Sequence, residues 1–209
     1  MASASGWQNQ ATARGIDATG WSWSAAFGDL DNDGWLDFYV VNGMIEERMW
    51  AHLPNHELVE ENQSFRNDGT GDFKKMLDWG LNATASGRSM IMADLDNDGD
   101  LDIVVNNLRA PAALFENRLC DGDAIEIDLL QMGIQNRHAV GAQVKLYTSI
   151  GVLTRDVHIF GGYLSGDTSR IHFGLPKDAT IERMEIRWPD GATSTVDKIE
   201  RGRLLQVQR

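Results

Sequence analysis

Apolar and polar residues alternate through much of the second half of the chain. Ala124-Ile-Glu-Ile-Asp-Leu129, Gln143-Val-Lys-Leu-Tyr147, Arg155-Asp-Val-His-Ile159 and Arg183-Met-Glu-Ile-Arg-Trp188 each put side chains of opposite character on opposite faces. That period belongs to half-buried antiparallel strands. Breaks at Gly141, Gly151, Gly161, Gly162, Gly174 and Gly191 separate the segments, which predicts an all-β unit of sandwich type. The first half reads differently. Phe38-Tyr-Val-Val41 and Ile103-Val-Val105 are unbroken apolar runs closing on Asn42 and on Asn106-Asn107, as buried strands do. Asn67-Asp-Gly-Thr-Gly-Asp72, between Phe65 and Phe73, has the composition of a tight hairpin turn. Only Met44 to Asn62, rich in Glu, Met and Leu, predicts a short helix, interrupted at Pro54. A change of texture around Leu119 to Gly122 divides the chain into a region 1–120 and a region 121–209.

The first region repeats itself. Asp29-Leu-Asp-Asn-Asp-Gly-Trp-Leu-Asp37 and Asp94-Leu-Asp-Asn-Asp-Gly-Asp-Leu-Asp102 agree at eight of nine positions at a displacement of 65 residues. Each is followed by one of the apolar runs. A further echo, Phe65-Arg-Asn67 and Phe115-Glu-Asn117, lies farther from the first loop than from the second, so the first unit carries an insertion.

The spacing Asp-x-Asp-x-Asp-Gly-x-x-Asp places carboxylates at positions 1, 3, 5 and 9, with Gly34 or Gly99 where the chain turns sharply. Such a loop encircles a hard cation that takes six to eight oxygens. The expected ligands are the side chains of Asp29, Asp31, Asp33 and Asp37 with the carbonyl of Trp35. In the second loop they are Asp94, Asp96, Asp98 and Asp102 with the carbonyl of Asp100. Two calcium ions are expected. Magnesium demands a stricter octahedron and retains its waters, and zinc prefers His and Cys, which neither loop holds. An EF-hand needs a Glu at position 12 and flanking helices, whereas position 12 is Val40 or Val105 within strand-forming sequence. The plainer alternative is a polar turn built from Asp, Asn and Gly. Against it, like charges ~4 Å apart repel by ~4 kcal/mol at an effective dielectric of 20, so four carboxylates in one short loop resist closure without a cation.

Composition narrows the partners. The 209 residues are 42% hydrophobic, enough for a sizeable core, and carry a formal charge of −12. That charge excludes a nucleic-acid or anionic-membrane partner, because phosphates are bound by clustered Lys and Arg. The single Cys120 forms no internal disulfide. No segment reaches the ~18 to 20 apolar residues that span a bilayer, so no membrane insertion is expected. The first twenty residues lack the apolar core of a signal peptide, so an export signal is expected outside this chain.

Other residues admit two readings each. Trp21, Trp23, Trp35, Trp50 and Trp79 would either pack between strands or stack on sugar. His52 and His56, near Glu57, form either a metal pair or a solvated surface, and Pro54 between them spoils a helical face. His138, His158 and His172 have no Ser or Cys nucleophile at a recognisable motif, so no catalytic residue is expected. Asn62-Gln-Ser64 and Asn82-Ala-Thr84 match the N-glycosylation pattern.

Phe27-Gly-Asp-Leu-Asp-Asn-Asp-Gly34 and Ala93-Asp-Leu-Asp-Asn-Asp-Gly99 resemble the calcium motif of FG-GAP and VCBS repeats, the units of integrin-type β-propellers. Asn136-Arg-His-Ala-Val-Gly-Ala142, Gly162-Tyr-Leu-Ser165, Ile171-His-Phe-Gly-Leu175 and Trp188-Pro-Asp-Gly191 follow the order of an ASPIC/UnbV domain. The resemblance implies an all-β fold of partial β-propeller-like blades followed by a β-sandwich-like ASPIC/UnbV domain. It also implies a secreted or cell-surface protein, in a family that includes a cartilage acidic protein and many bacterial relatives, with no established catalytic residues. Propellers close with about 4 to 8 blades, whereas residues 20 to 120 supply two. The expectation is therefore a fragment or an assembling subunit whose open sheet edges meet its own second domain, a protein partner or another copy. A glycan ligand is the alternative.

Overall fold

A computed structural model describes residues 6–44, 59–119 and 122–209. Among them are fourteen strands in four sheets and no helix. The helix expected within Met44 to Asn62 falls mostly outside the described residues, as do Trp50, His52, His56, Glu57 and Cys120. No helix among the described residues is long and apolar enough to cross a membrane.

The first region forms two small antiparallel sheets. One runs in the order β1 (Ser22–Gly28), β2 (Asp37–Asn42), β3 (Gln63–Asn67) and β4 (Phe73–Lys75). The other is β5 (Gly87–Ala93), β6 (Asp102–Asn107) and β7 (Ala113–Phe115). The repeat extends to register. Gly28 faces Asp37 and Ala93 faces Asp102, so each aspartate loop closes a hairpin at the same step. Both hairpins carry an irregularity at the same place, between Ser22 and Ser24 and between Gly87 and Ser89. The Phe-x-Asn echo is the third strand of each unit, Phe65 facing Phe38 and Phe115 facing Ile103. Asn67 faces Phe73 across the hairpin turn expected there. Leu30, Tyr39, Val41, Met90, Ile103 and Val105 bury a shared core between the two units.

The second region is a sandwich. One sheet has the order β10 (Gly151–Asp156), β9 (Gln143–Thr148), β12 (Ile181–Arg187) and β13 (Thr193–Val196). The other has the order β11 (Ile171–Pro176), β8 (Gly122–Leu130) and β14 (Arg203–Gln208). Ile125, Ile127 and Phe173 meet Val144, Leu146, Met184, Ile186 and Trp188 in one core. Two departures from the sequence reading have local causes. The strand expected at Arg155 to Ile159 begins instead at Gly151 and ends at Asp156, since Val157 is bonded to the turn residues Gly141 and Ala142. β14, a strand that the sequence reading did not name, joins β8 in parallel, fixed at its ends by Gly202 N to Ala124 O and Arg209 N to Leu130 O.

The two regions meet at the aspartate loops. A Cβ added to Gly174 in β11 would stand 2.4 Å from Asp29 Oδ2 and 2.6 Å from the Asn32 Cα, and one added to Gly122 would stand 2.3 Å from the Asn32 carbonyl. The first loop thus lies directly on the backbone of the β11–β8 sheet. The second loop is held there by His172, whose Nε2–H donates to the Gly99 carbonyl at 2.9 Å while Nδ1 is buried without a partner. Burial holds this imidazole down at about 4.

Gly174→Ala is expected to lower the urea midpoint by the equivalent of about 1 to 3 kcal/mol, because the clash falls on the buried Asp29 carboxylate and on the Asn32 Cα, which no rotamer moves. An unchanged midpoint would refute this packing. His172 stays neutral in the fold across the range in which the unfolded chain takes up a proton. Its contribution is complete above the ordinary value of 6.5 and is lost as pH falls toward about 4. Urea unfolding of wild type and His172→Gln between those pH values should therefore show the steeper acid loss in wild type, and parallel losses would contradict the buried neutral ring.

Candidate metal centre

Each loop is shaped by the chain before any ion is considered. Asn32 and Asn97 take φ of 55° and 65°, and Gly34 and Gly99 take 97° and 98°. Asn tolerates the left-handed region better than other side chains, and Gly occupies it without steric cost. The loop then folds onto its own carboxylates. Asp29 Oδ2 accepts from Gly34 N at 2.9 Å, and Asp94 Oδ2 from Gly99 N at 3.0 Å. The last aspartate ties the loop to the third strand. Asp37 accepts from Leu30 N and Asn67 N, both at 2.9 Å, and Asp102 accepts from Leu95 N at 3.1 Å and Asn117 N at 2.8 Å. Asn67 and Asn117 return the tie through donations to Leu36 O and Leu101 O, each at 3.2 Å. This explains the Phe-x-Asn echo, whose loop-anchoring role the spacing alone did not reveal.

Carboxylate oxygens of Asp29, Asp31 and Asp37 converge within 4.8 Å of one another, as do those of Asp94, Asp96 and Asp102. The fifth-position aspartates point elsewhere. Asp33 accepts from Trp35 N and from Arg66 Nη2, each at 2.9 Å, and Asp98 accepts from Asp100 N at 3.0 Å. Trp35 lays its ring against Gly69 of the hairpin turn. Asp100 accepts from Asn32 Nδ2 at 2.6 Å and so links the two loops.

The loops differ in environment. Asp29 and Asp37 are almost wholly buried, whereas Leu95, Asp96, Asn97 and Asp98 are exposed. Burial drives the Asp29 carboxyl well above its usual range, with the neighbouring carboxylates adding to the rise and Arg155 opposing it. Burial likewise pushes Asp37 up to about 7 against the hydrogen bonds from Asn67 and Leu30. Asp31 Oδ1 is buried with no hydrogen-bond partner, although Arg66 Nε holds its other oxygen. A desolvated carboxylate oxygen left unpaired beside two others is the arrangement that a hard cation relieves. The residues therefore fit calcium, with Asp29, Asp31 and Asp37 in one loop and Asp94, Asp96 and Asp102 in the other as the convergent set. Asp29 and Asp94 line a shared cleft of about 440 Å³ together with residues of the second region.

The remaining candidates have other partners. His158 faces Asp167 at 3.3 Å and His138 faces Asp128 at 3.8 Å. Trp23 stacks edge-on to Tyr163 at 5.0 Å under the Arg88 guanidinium, and Trp79 packs on the shared core. Asn62 is 1% exposed and donates to the Tyr39 hydroxyl, so its side chain is closed to glycosylation in the fold, while Asn82 is exposed.

Family comparison agrees with this geometry. The FG-GAP-like repeat matches residues 3–40 and 55–105, a span that contains both aspartate loops. The family described as ASPIC and UnbV matches residues 133–209, within the sandwich. No curated protein matches the chain. The chain thus carries FG-GAP-like repeats, which hold both aspartate hairpins, followed by an ASPIC and UnbV domain.

Proposed function

We propose that the chain is a calcium-binding, non-catalytic structural module of an extracellular protein, in which two ions bind the loops that close the blade hairpins. The observation that carries this reading is the orphaned, buried Asp31 Oδ1 beside Asp29 and Asp37. FG-GAP-like repeats are typical of extracellular proteins, where calcium is present at millimolar levels. We assign no catalytic step, since the described histidines face carboxylates or a backbone carbonyl rather than a nucleophile. A protein partner or a second copy would meet sheet edges that are guarded against indiscriminate pairing. The edge strands β4 and β7 are only three residues each, and Lys74 and Lys75 blunt the first.

Binding to the fold alone adds stability by mass action. With dissociation constants near 10⁻⁴ M, calcium at 1 to 2 mM adds about 1.5 kcal/mol per site. For a chain of this size that corresponds to a rise in Tm of about 6 to 12 °C for two sites, relative to chelator. Asp37→Asn together with Asp102→Asn should abolish the rise. Identical melts in calcium and in chelator, with no calcium bound at equilibrium in about 1 to 2 mM calcium, would end the proposal.

A further inference from the structure

The two loops differ most at the position that the repeat makes equivalent. Arg66 and Glu116 each follow the phenylalanine of the third strand, and those phenylalanines sit at matching register. Arg66 reaches across the first loop, with Nε on Asp31 Oδ2 and Nη2 on Asp33 Oδ2 at 2.9 Å. The Arg155 guanidinium also acts on Asp29, opposing the rise of its carboxyl. Glu116 instead turns outward to Arg118, with contacts of 2.9 and 2.8 Å, so the position equivalent to Arg66 brings no cation to the loop of Asp94, Asp96, Asp98, Asp100 and Asp102.

Resting on the calcium reading above, we infer that the first loop carries its own counter-ion: Arg66 stands in for part of the cation charge. The first loop, and the β11–β8 surface packed on it, therefore holds its shape without a bound ion. The second loop depends on the ion. The physical reason is like-charge repulsion. A guanidinium forked across two of the loop's carboxylates stabilises them when no ion is present, and it repels a divalent ion that shares them. The side chain is 40% exposed, so it has room to swing aside when an ion enters. Position 66 is thus a charge setting for the first site, and the equivalent position 116 supplies no such counter-ion to the second. Calcium fills the second loop first.

Calcium calorimetry on the full chain tests this. Wild type should show two classes of site separated by about tenfold or more in Kd, one decade being ~1.4 kcal/mol. Arg66→Gln should tighten the weaker class by about tenfold and lower the Tm in chelator, while Glu116→Arg should weaken the tighter class. Should Arg66→Gln fail to fold in chelator, Arg66→Lys, which loses the bidentate fork, is expected to tighten the weaker class in the same direction. Equal sites in wild type, or weaker calcium binding on losing Arg66, would overturn the inference and leave the calcium reading standing. Absence of binding heat in wild type and every variant would remove both.

Discussion

The fold is organised around a conflict between burial and charge. The first hairpin brings Asp29 and Asp37 into the interior with Asp31 beside them, and all three lie within reach of one another. Desolvation and mutual repulsion both oppose ionisation there, which is why Asp29 and Asp37 sit far above ordinary carboxylates. A protein keeps such a cluster only if something positive compensates it. Backbone N–H groups supply part of the compensation, Arg66 and Arg155 another part, and the proposed ion the remainder.

Because each loop is both the closure of a hairpin and the floor under the second region, local charge balance has long-range consequences. Asp37 and Asp102 fix the third strands through Asn67 and Asn117. Asn32, pinned at positive φ, packs on Gly122 and Gly174 and bonds to Asp100. A loop that loses its shape would therefore release a strand on one side and the sandwich on the other. The charge balance of the loops and the docking of the two regions are therefore coupled.

Much of this was legible in the sequence because its signals are local. The nine-residue repeat, the apolar runs after it and the Gly-rich turns marked the loops and the strands that follow them, while the register came from the structure. The start of β10 was hidden because Val152 and Leu153 are adjacent apolar residues of which only Leu153 is buried, so the alternation is masked. Long-range pairings left no periodic trace. The parallel pairing of β14 with β8, the His172 bond to Gly99 and the docking of Asn32 join residues far apart in the chain. The role of Arg66 was invisible for the same reason. Its tripeptide echo marked the position, but only the folded hairpin brings it to Asp31 and Asp33.

The central claim concerns ions within the two aspartate loops, and a crystal structure grown in millimolar calcium tests it most directly. Anomalous density is expected in both loops, with oxygens of Asp29, Asp31 and Asp37 and of Asp94, Asp96 and Asp102 at about 2.3 to 2.6 Å from the peaks. Loops of unchanged shape holding only water, at calcium concentrations that saturate known sites of this kind, would contradict the account.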